Sequence, residues 1–341
     1  MSETVKIQDV AKAAGVSTAT VSRTLSNPSV VSERTRKAVL EAVRATGYRV
    51  NRAARNLRTQ RTGSILTLIP NIGNPFFSQI IAGIEQVFSE AEYSVLVSDT
   101  ANIGPAGTPL SHVFQDGRAD GVIVLDGILP LSSIESVKGT PNEHLVIYAC
   151  EWAEGAGIPS IRSDNRSGAI QAVNHLADLG HRAIGHICGP EDNVLTGVRR
   201  AAFFEAAEAR GLDVRPEWVF PGDFKLASGA AAAEAFLGLK ERPTAVFSAS
   251  DLMAMGFISR LSDAGVRVPE DLSVVGFDDI DLAPYFRPAL TTIRQDRMEL
   301  GRITAQTLLS RLRRPTEVQP DFLHIVPVEL VERASTAAPA R

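Results

Sequence analysis

IQDVAKAAGVSTATVSRTL, residues 7–25, spells two short helices and the turn between them. Ile7, Val10, Ala11 and Ala14 recur at the i, i+3, i+4, i+7 spacing of one helical face. Gly15 follows, a residue that tolerates the positive φ of a helix end. Ser17 is a good N-cap for a second helix over Thr18–Leu25, and Asn27-Pro28 closes it. Two such helices joined by a tight Gly-containing turn predict a helix-turn-helix, with Ala11, Val16 and Val21 packing its corner. A third helix begins after Ser32 and runs to about Thr46, just before Gly47. Its buried stripe is Val39, Ala42 and Val43, with Leu40 at the margin.

Charge divides the chain at the same place. The first 62 residues hold 12 Lys+Arg and 4 Asp+Glu, a net +8, whereas the rest holds 23 against 35, a net −12. A basic head on an acidic body suggests a polyanion partner, nucleic acid first; a solvated charged face is the plainer alternative. With DNA as partner, the helix at Thr18–Leu25 lies in the major groove and offers Thr18, Ala19, Ser22 and Arg23 to base edges. Arg23 carries a fork of donors that matches guanine O6 and N7. A three-helix bundle used for protein contact fits the same pattern. NRAARNLR, residues 51–58, is barely two turns of basic helix capped by Asn51. Alone in water such a helix is marginal. It reads as a charged linker, or as a helix that orders on DNA and wedges Leu57 between bases.

From Ser64 the pattern becomes β-α alternation. Strand-like runs at Ile65–Ile69, Val95–Val97, Val122–Leu125, Leu145–Tyr148, Ala183–Ile187, Ala245–Phe247 and Ser273–Phe277 are spaced by helical stretches such as Phe77–Ala91, Gly168–Leu179, Val198–Arg210 and Leu252–Ala264. Buried strands spaced by helices predict doubly wound parallel sheets, and the length fits two of them. Ligands bind such sheets at the carboxyl ends of the strands. The residues found there are Phe76 and Phe77, Arg199, Phe224, Ser250 with Asp251, and Asp278. A planar ring or sugar face can stack on Phe, while Asp and Arg take hydroxyls or ring nitrogens. Taken alone, each Phe is more often core than ligand contact, and Arg199 with Asp278 could equally be a structural ion pair. Asp279 and Arg200 are the neighbouring decoys.

IQDVAKAAGVSTATVSRTLSN followed by ARNL resembles the head and hinge of the LacI/GalR family of transcriptional regulators. DLGHRAIGHICGP, GDFKLASG, RPTAVFSASDLMAMG, VPEDLSVVGFDDI and PALTTIRQ resemble family blocks in the same order, from Val5 to about Arg333. NPFFSQIIAGIE and the GPE and GDF blocks are most similar to those of the purine and cytidine repressors. The resemblance implies an α/β architecture: an all-α helix-turn-helix head plus hinge helix, then two lobes of the periplasmic-binding-protein type. The head covers 1–50 and the hinge helix and linker 51–62. The core covers 63–333, with lobe 1 at about 63–162 plus 292–322 and lobe 2 at about 163–291 plus 323–333; residues 334–341 form a flexible tail. It implies base-reading positions at Thr18, Ala19 and Arg23 and the minor-groove wedge at Leu57. Arg58 then contacts DNA nearby, with Asn51 and Arg55 on the same hinge. It also implies effector contacts at Phe77, Arg199, Phe224 and Asp278, with Ser250 and Phe76 beside them. The expected partners are operator DNA, a sugar or nucleoside effector, and a second copy of the chain in a homodimer. Two stretches depart from the family pattern. TANIGPAGTPLSH leaves the helix after the second strand starting late or partly lost, and YACEW leaves the register among Ala149, Cys150 and Glu151 open.

No phosphate-binding GxxxxGK[ST] loop, GxSxG elbow, HExxH or CxxC occurs, and the six histidines are scattered. No enzyme, metal or cofactor is therefore expected. A two-lobe sugar- or nucleoside-binding protein, or an enzyme on such compounds, is the alternative without operator binding. No apolar run approaches the roughly 18 residues of a membrane span, and MSETVKIQDV has no apolar core of a signal peptide. The cytoplasm is the expected compartment.

Overall fold

The computed structural model describes residues 5–48, 61–100, 109–314 and 322–340. They form two units, residues 1–61 and 62–341. The hinge candidates Asn51, Arg55, Leu57 and Arg58 lie outside the described residues.

In the first unit, α1 (Ile7–Ala14), α2 (Thr18–Ser26) and α3 (Glu33–Thr46) follow the expected bounds closely. Gly15 and Gly47 end α1 and α3 in left-handed conformation, φ 65 and 67. Ser17 and Ser32 cap α2 and α3 through their hydroxyls, which accept from the Thr20 and Thr35 amides. Val10, Ala11, Val21, Val39 and Ala42 form a small core, with Val16 and Val43 against it. Leu40 stays exposed.

The second unit has two six-stranded sheets. In lobe 1, β1 (Ser64–Ile69), β2 (Ser94–Asp99), β3 (Gly121–Val124), β4 (Val146–Ala149), β5 (Ser160–Ser163) and β11 (Leu323–Val326) lie in the order β11-β5-β4-β3-β1-β2, all parallel. In lobe 2, β6 (Ile184–Ile187), β7 (Val219–Phe220), β8 (Ala245–Ser248), β9 (Ser273–Asp278), β10 (Thr291–Gln295) and β12 (Val328–Val331) lie in the order β12-β10-β9-β8-β6-β7. This sheet is parallel except at β12, which runs antiparallel to β10. Lobe 1 carries α4 (Phe76–Glu90), α5 (Leu110–Gln115), α6 (Leu131–Glu135) and α11 (Arg297–Arg313). Lobe 2 carries α7 (Asn165–Asp178), α8 (Val194–Ala209), α9 (Leu226–Leu237) and α10 (Asp251–Asp263). The reduced helix expected after β2 is α5, six residues starting at Leu110.

Two expectations need correction. The chain passes between lobes at Asp296 and Pro327 rather than at 292 and 323. β10 pairs with β9 and so belongs to lobe 2, and β11 pairs with β5 and so belongs to lobe 1. Pro327 stands between β11 and β12, where a residue without an amide breaks the ladder and the chain changes sheet. Residues 334–340 are also no loose tail. The Val274 amide donates to the Ser335 carbonyl at 2.8 Å, and Ser335 Oγ accepts from the Thr291 amide at 2.8 Å. His175 and His181 hold Thr336 and the Ala337 carbonyl, and Ser335 is fully buried.

Each lobe packs one helix pair backbone to backbone. A Cβ on Gly83 of α4 would strike the Met298 carbonyl, and one on Gly301 of α11 the Ile80 carbonyl. In lobe 2, Gly229 of α9 and Gly256 of α10 stand in the same way against Met253 and Leu226. No helix among the described residues is long and apolar enough to cross a membrane.

Candidate functional site

On α2 the buried residues Val21 and Thr24 face the head's core, while Thr18, Ala19 and Arg23 are exposed and Ser22 is half-buried. Four candidate base-reading residues thus share the outward side of a helix whose inward side is fully used.

In the second unit the strand ends of both lobes converge on Arg199. This residue projects from α8 and is 2% exposed. Its guanidinium lies over the Phe277 ring, 3.7 Å from the centroid, and 6.0 Å from that of Phe224. Nε donates to Asn165 Oδ1 at 2.9 Å and Nη1 to the Ala249 carbonyl at 2.5 Å. Asp278 Oδ1 stands 3.9 Å from Nη1, within ion-pair range but too long for a hydrogen bond. Gln295 Nε2 donates to that same oxygen at 2.7 Å. Burial pushes the Asp278 carboxyl up to about 6, against the pull of Arg199 and Arg297 and the Gln295 hydrogen bond. Burial also pulls the Arg199 guanidinium down, and the Asp278 charge opposes it.

Phe224 follows β7 with φ 62, half-buried, its ring over Gly189, where a Cβ would strike it. Ser250 is buried and caps α10, its Oγ accepting from the Met253 amide at 3.3 Å. Asp251, fully buried, braces the loop after β9: Oδ1 accepts from Thr292 Oγ1 at 2.5 Å and Oδ2 from the Ile280 amide at 2.9 Å. From lobe 1, Phe76 and Phe77 meet edge to face with centroids 5.2 Å apart. Both are nearly buried. The decoys are engaged otherwise: Asp279 is paired with Arg294 and Arg333, and Arg200 is exposed beside Phe204.

The convergence also holds residues that the sequence does not single out. Glu151 lies in the open YACEW stretch, buried, its Oε2 accepting from the Gly127 amide at 2.8 Å. The Asn193 side chain of lobe 2 also hydrogen-bonds it; burial dominates and pushes its carboxyl up to about 7. Thr196 Oγ1, Gln295 Oε1 and Arg297 Nε are buried polar atoms without a partner among the described residues, the kind of atoms a polar ligand satisfies. Cys150, Phe224, Asp278 and Asp279 all have positive φ, so four of the five non-glycine residues with that geometry among the described residues lie here. Such strain clusters at functional sites. The only signals in the sequence are a register ambiguity at Glu151 and the polar Gln295 at the end of β10; Thr196 and Arg297 lie on helices.

Comparison with known proteins bears on both units. The model for bacterial regulatory proteins, lacI family, matches residues 6–51, and that for a periplasmic binding protein-like domain matches residues 173–336. The chain is 38% identical over 333 residues to the HTH-type transcriptional repressor CytR of Escherichia coli K12, covering 97% of this chain and 96% of that protein. A crystal structure of the lac repressor dimer bound to operator and the anti-inducer ONPF superposes with a TM-score of 0.82 at 29% identity, over 98% of this chain and 100% of that one. A LacI family transcriptional regulator from Enterococcus faecium with bound ribose superposes with a TM-score of 0.71 at 27% identity, over 81% and 100%.

Proposed function

Because the chain belongs to the LacI family of bacterial regulatory proteins, we propose that its heads read an operator and that a small sugar or ribose-containing nucleoside, bound between the lobes, changes their affinity for it. One observation carries the ligand reading. Arg199 is held over Phe277, with Asp278 3.9 Å away and unpartnered buried polar atoms of Thr196 one turn away on α8 and of Gln295 on β10. An internal ion pair would close to hydrogen-bond distance; this one leaves both groups able to take hydroxyls in bidentate fashion. Phe76, Phe77 and Phe224 supply aromatic surface for a ring or a sugar face. Asp278, Arg199, Phe77 and Phe224 are the principal contacts, with Ser250 and Phe76 behind them.

On the DNA side, Arg23 is the main reader, supported by Thr18, Ala19 and Ser22. Asn51, Arg55, Leu57 and Arg58 form a hinge that orders on DNA, the leucine kinking its centre. Two copies, each presenting one head, would match the two halves of a palindromic site; the similar lac repressor is a dimer bound to operator. The reading is of a repressor, as the relatives are named, and of a binding protein rather than an enzyme. Burial pushes both thiols up, Cys188 to about 11 and Cys150 well above its ordinary value, which disfavours a thiolate nucleophile.

Thermal melting against a panel of pentoses, hexoses, sugar phosphates, nucleosides and purine bases tests this. A ligand at about 100 times its Kd should stabilise by about 2.7 kcal/mol. The shift should vanish in Asp278→Ala, while its retention on DNA should be unchanged. A ligand that stabilises wild type and Asp278→Ala equally places the site elsewhere.

A further inference from the structure

The loop after β9 carries three aspartates with three different sets of partners. Asp278 faces Arg199 and Gln295. Asp279 stays within lobe 2, held by Arg294 at 2.7 Å and Arg333 at 2.6 Å. Asp281 reaches into lobe 1: its Oδ1 accepts from Gln79 Nε2 of α4 at 2.6 Å and from Arg297 Nη2 of α11 at 3.1 Å. The same Nη2 donates to the Asp279 carbonyl at 3.0 Å, and the Arg297 charge acts on Asp278 as well.

The loop cannot flex freely between these contacts. Asp251 holds the Ile280 amide at 2.9 Å, and Asp278 and Asp279 sit at φ 123 and 51, where few side chains settle. Moving Asp281 relative to lobe 2 therefore means moving Asp278 with it. Asp281 itself is 67% exposed at its side chain, whereas Arg297 is 4% exposed. Truncating Asp281 leaves Arg297 with the Asp279 carbonyl as a partner.

We propose that Asp281 is a positioning residue. Gripped by Gln79 and Arg297, it clasps lobe 2 to lobe 1 and sets the closure at which Asp278 and Arg199 face Phe76 and Phe77. The consequence for effector binding rests on the function proposed above; the clasp itself requires no ligand.

The test uses the full chain without ligand or DNA. Ser132 on lobe 1 and Glu191 on lobe 2 are exposed. Cysteines placed there take spin labels selectively, because Cys150 and Cys188 are buried. Pulsed dipolar spectroscopy then reports the separation of the lobes. Asp281→Ala and Gln79→Ala should each shift the distribution to longer distance, equivalent to a fall of about 3- to 10-fold in the closed-to-open ratio on losing one or two hydrogen bonds. The double variant should open no further than Asp281→Ala. Asp271→Ala, which breaks only the Arg267 pair inside lobe 2, should leave the distribution unchanged. Distances in Asp281→Ala and Gln79→Ala identical to the parent overturn the proposal, as does a lowered melting temperature without a change in distance. A failed ligand panel is scored by melting alone, so loss of the effector reading and loss of the clasp are separate results.

Discussion

At the scale of single residues, Arg23 on the proposed DNA face and the buried Glu151 can each be tested alone. Arg23 is exposed on α2 while its neighbours Val21 and Thr24 are buried. Arg23→Ala should thus leave the head folded and cost about 1–3 kcal/mol on the preferred operator, relaxing preference at one base pair. Titration of wild type and variant on operators altered one base pair at a time checks this, and an equal loss on every sequence would make Arg23 a phosphate contact instead. Glu151 makes a pH prediction. Its carboxyl moves from an ordinary 4.5 to about 7 on folding. A raised folded value favours the protonated form, so this contribution to stability is complete below about 4.5 and lost as pH rises through about 7. Glu151→Gln, which cannot ionise, should therefore gain on wild type by roughly 2 kcal/mol between pH 5 and pH 8. Urea unfolding at the two values measures it; a gap that does not widen with pH would place Glu151 in a wetter site. His186 has the opposite sign. Burial between Phe203 and Phe247 lowers it to about 4, so its contribution is present above about 6.5 and lost as pH falls through about 4.

At the scale of elements, the glycine crossings decide how closely helices approach. Gly301→Ala would drive a methyl group into the Ile80 backbone, which cannot rotate aside as a side chain can. It should destabilise by about 1–3 kcal/mol. Gly197→Ala in α8 meets nothing within 4 Å and should stabilise by about 0.5–1 kcal/mol through helix propensity. Denaturant midpoints compare the two; equal effects would mean that α4 and α11 can slide apart. The same elements show what could be read in advance. The head helices carry caps, glycines and apolar spacing that are local signals, and their bounds follow from residues alone. The seven apolar strand runs are equally legible. Strands β5, β7, β10, β11 and β12 are short or carry polar residues such as Arg162, Arg294, His324 and Glu329; only their pairing reveals them, and with it the true lobe crossings. Phe77, Arg199, Phe224 and Asp278 stand just beyond legible strands or in matched blocks. Glu151 comes after a turn at Cys150, φ 68, that no residue type announces, and Arg297 is inward only because α11 packs on α4.

On the scale of the whole molecule, a +8 head is joined to a −12 body. Binding to DNA should therefore weaken steeply with salt, with a slope set by the phosphates each head neutralises. The acidic body adds nothing to that attraction. Effector and operator must be linked reciprocally, since a ligand that changes operator affinity has its own affinity changed by the same factor. The proposed regulator is one chain with two binding activities coupled to each other. It is tested most directly by fluorescence anisotropy of a duplex selected by this protein from random DNA, titrated with and without the ligand that raises its melting temperature. The expected result is a palindromic site, tight binding that falls steeply with salt, and a several-fold change in Kd on adding ligand that disappears in Asp278→Ala. The same Kd with and without a ligand that demonstrably binds the body would contradict it.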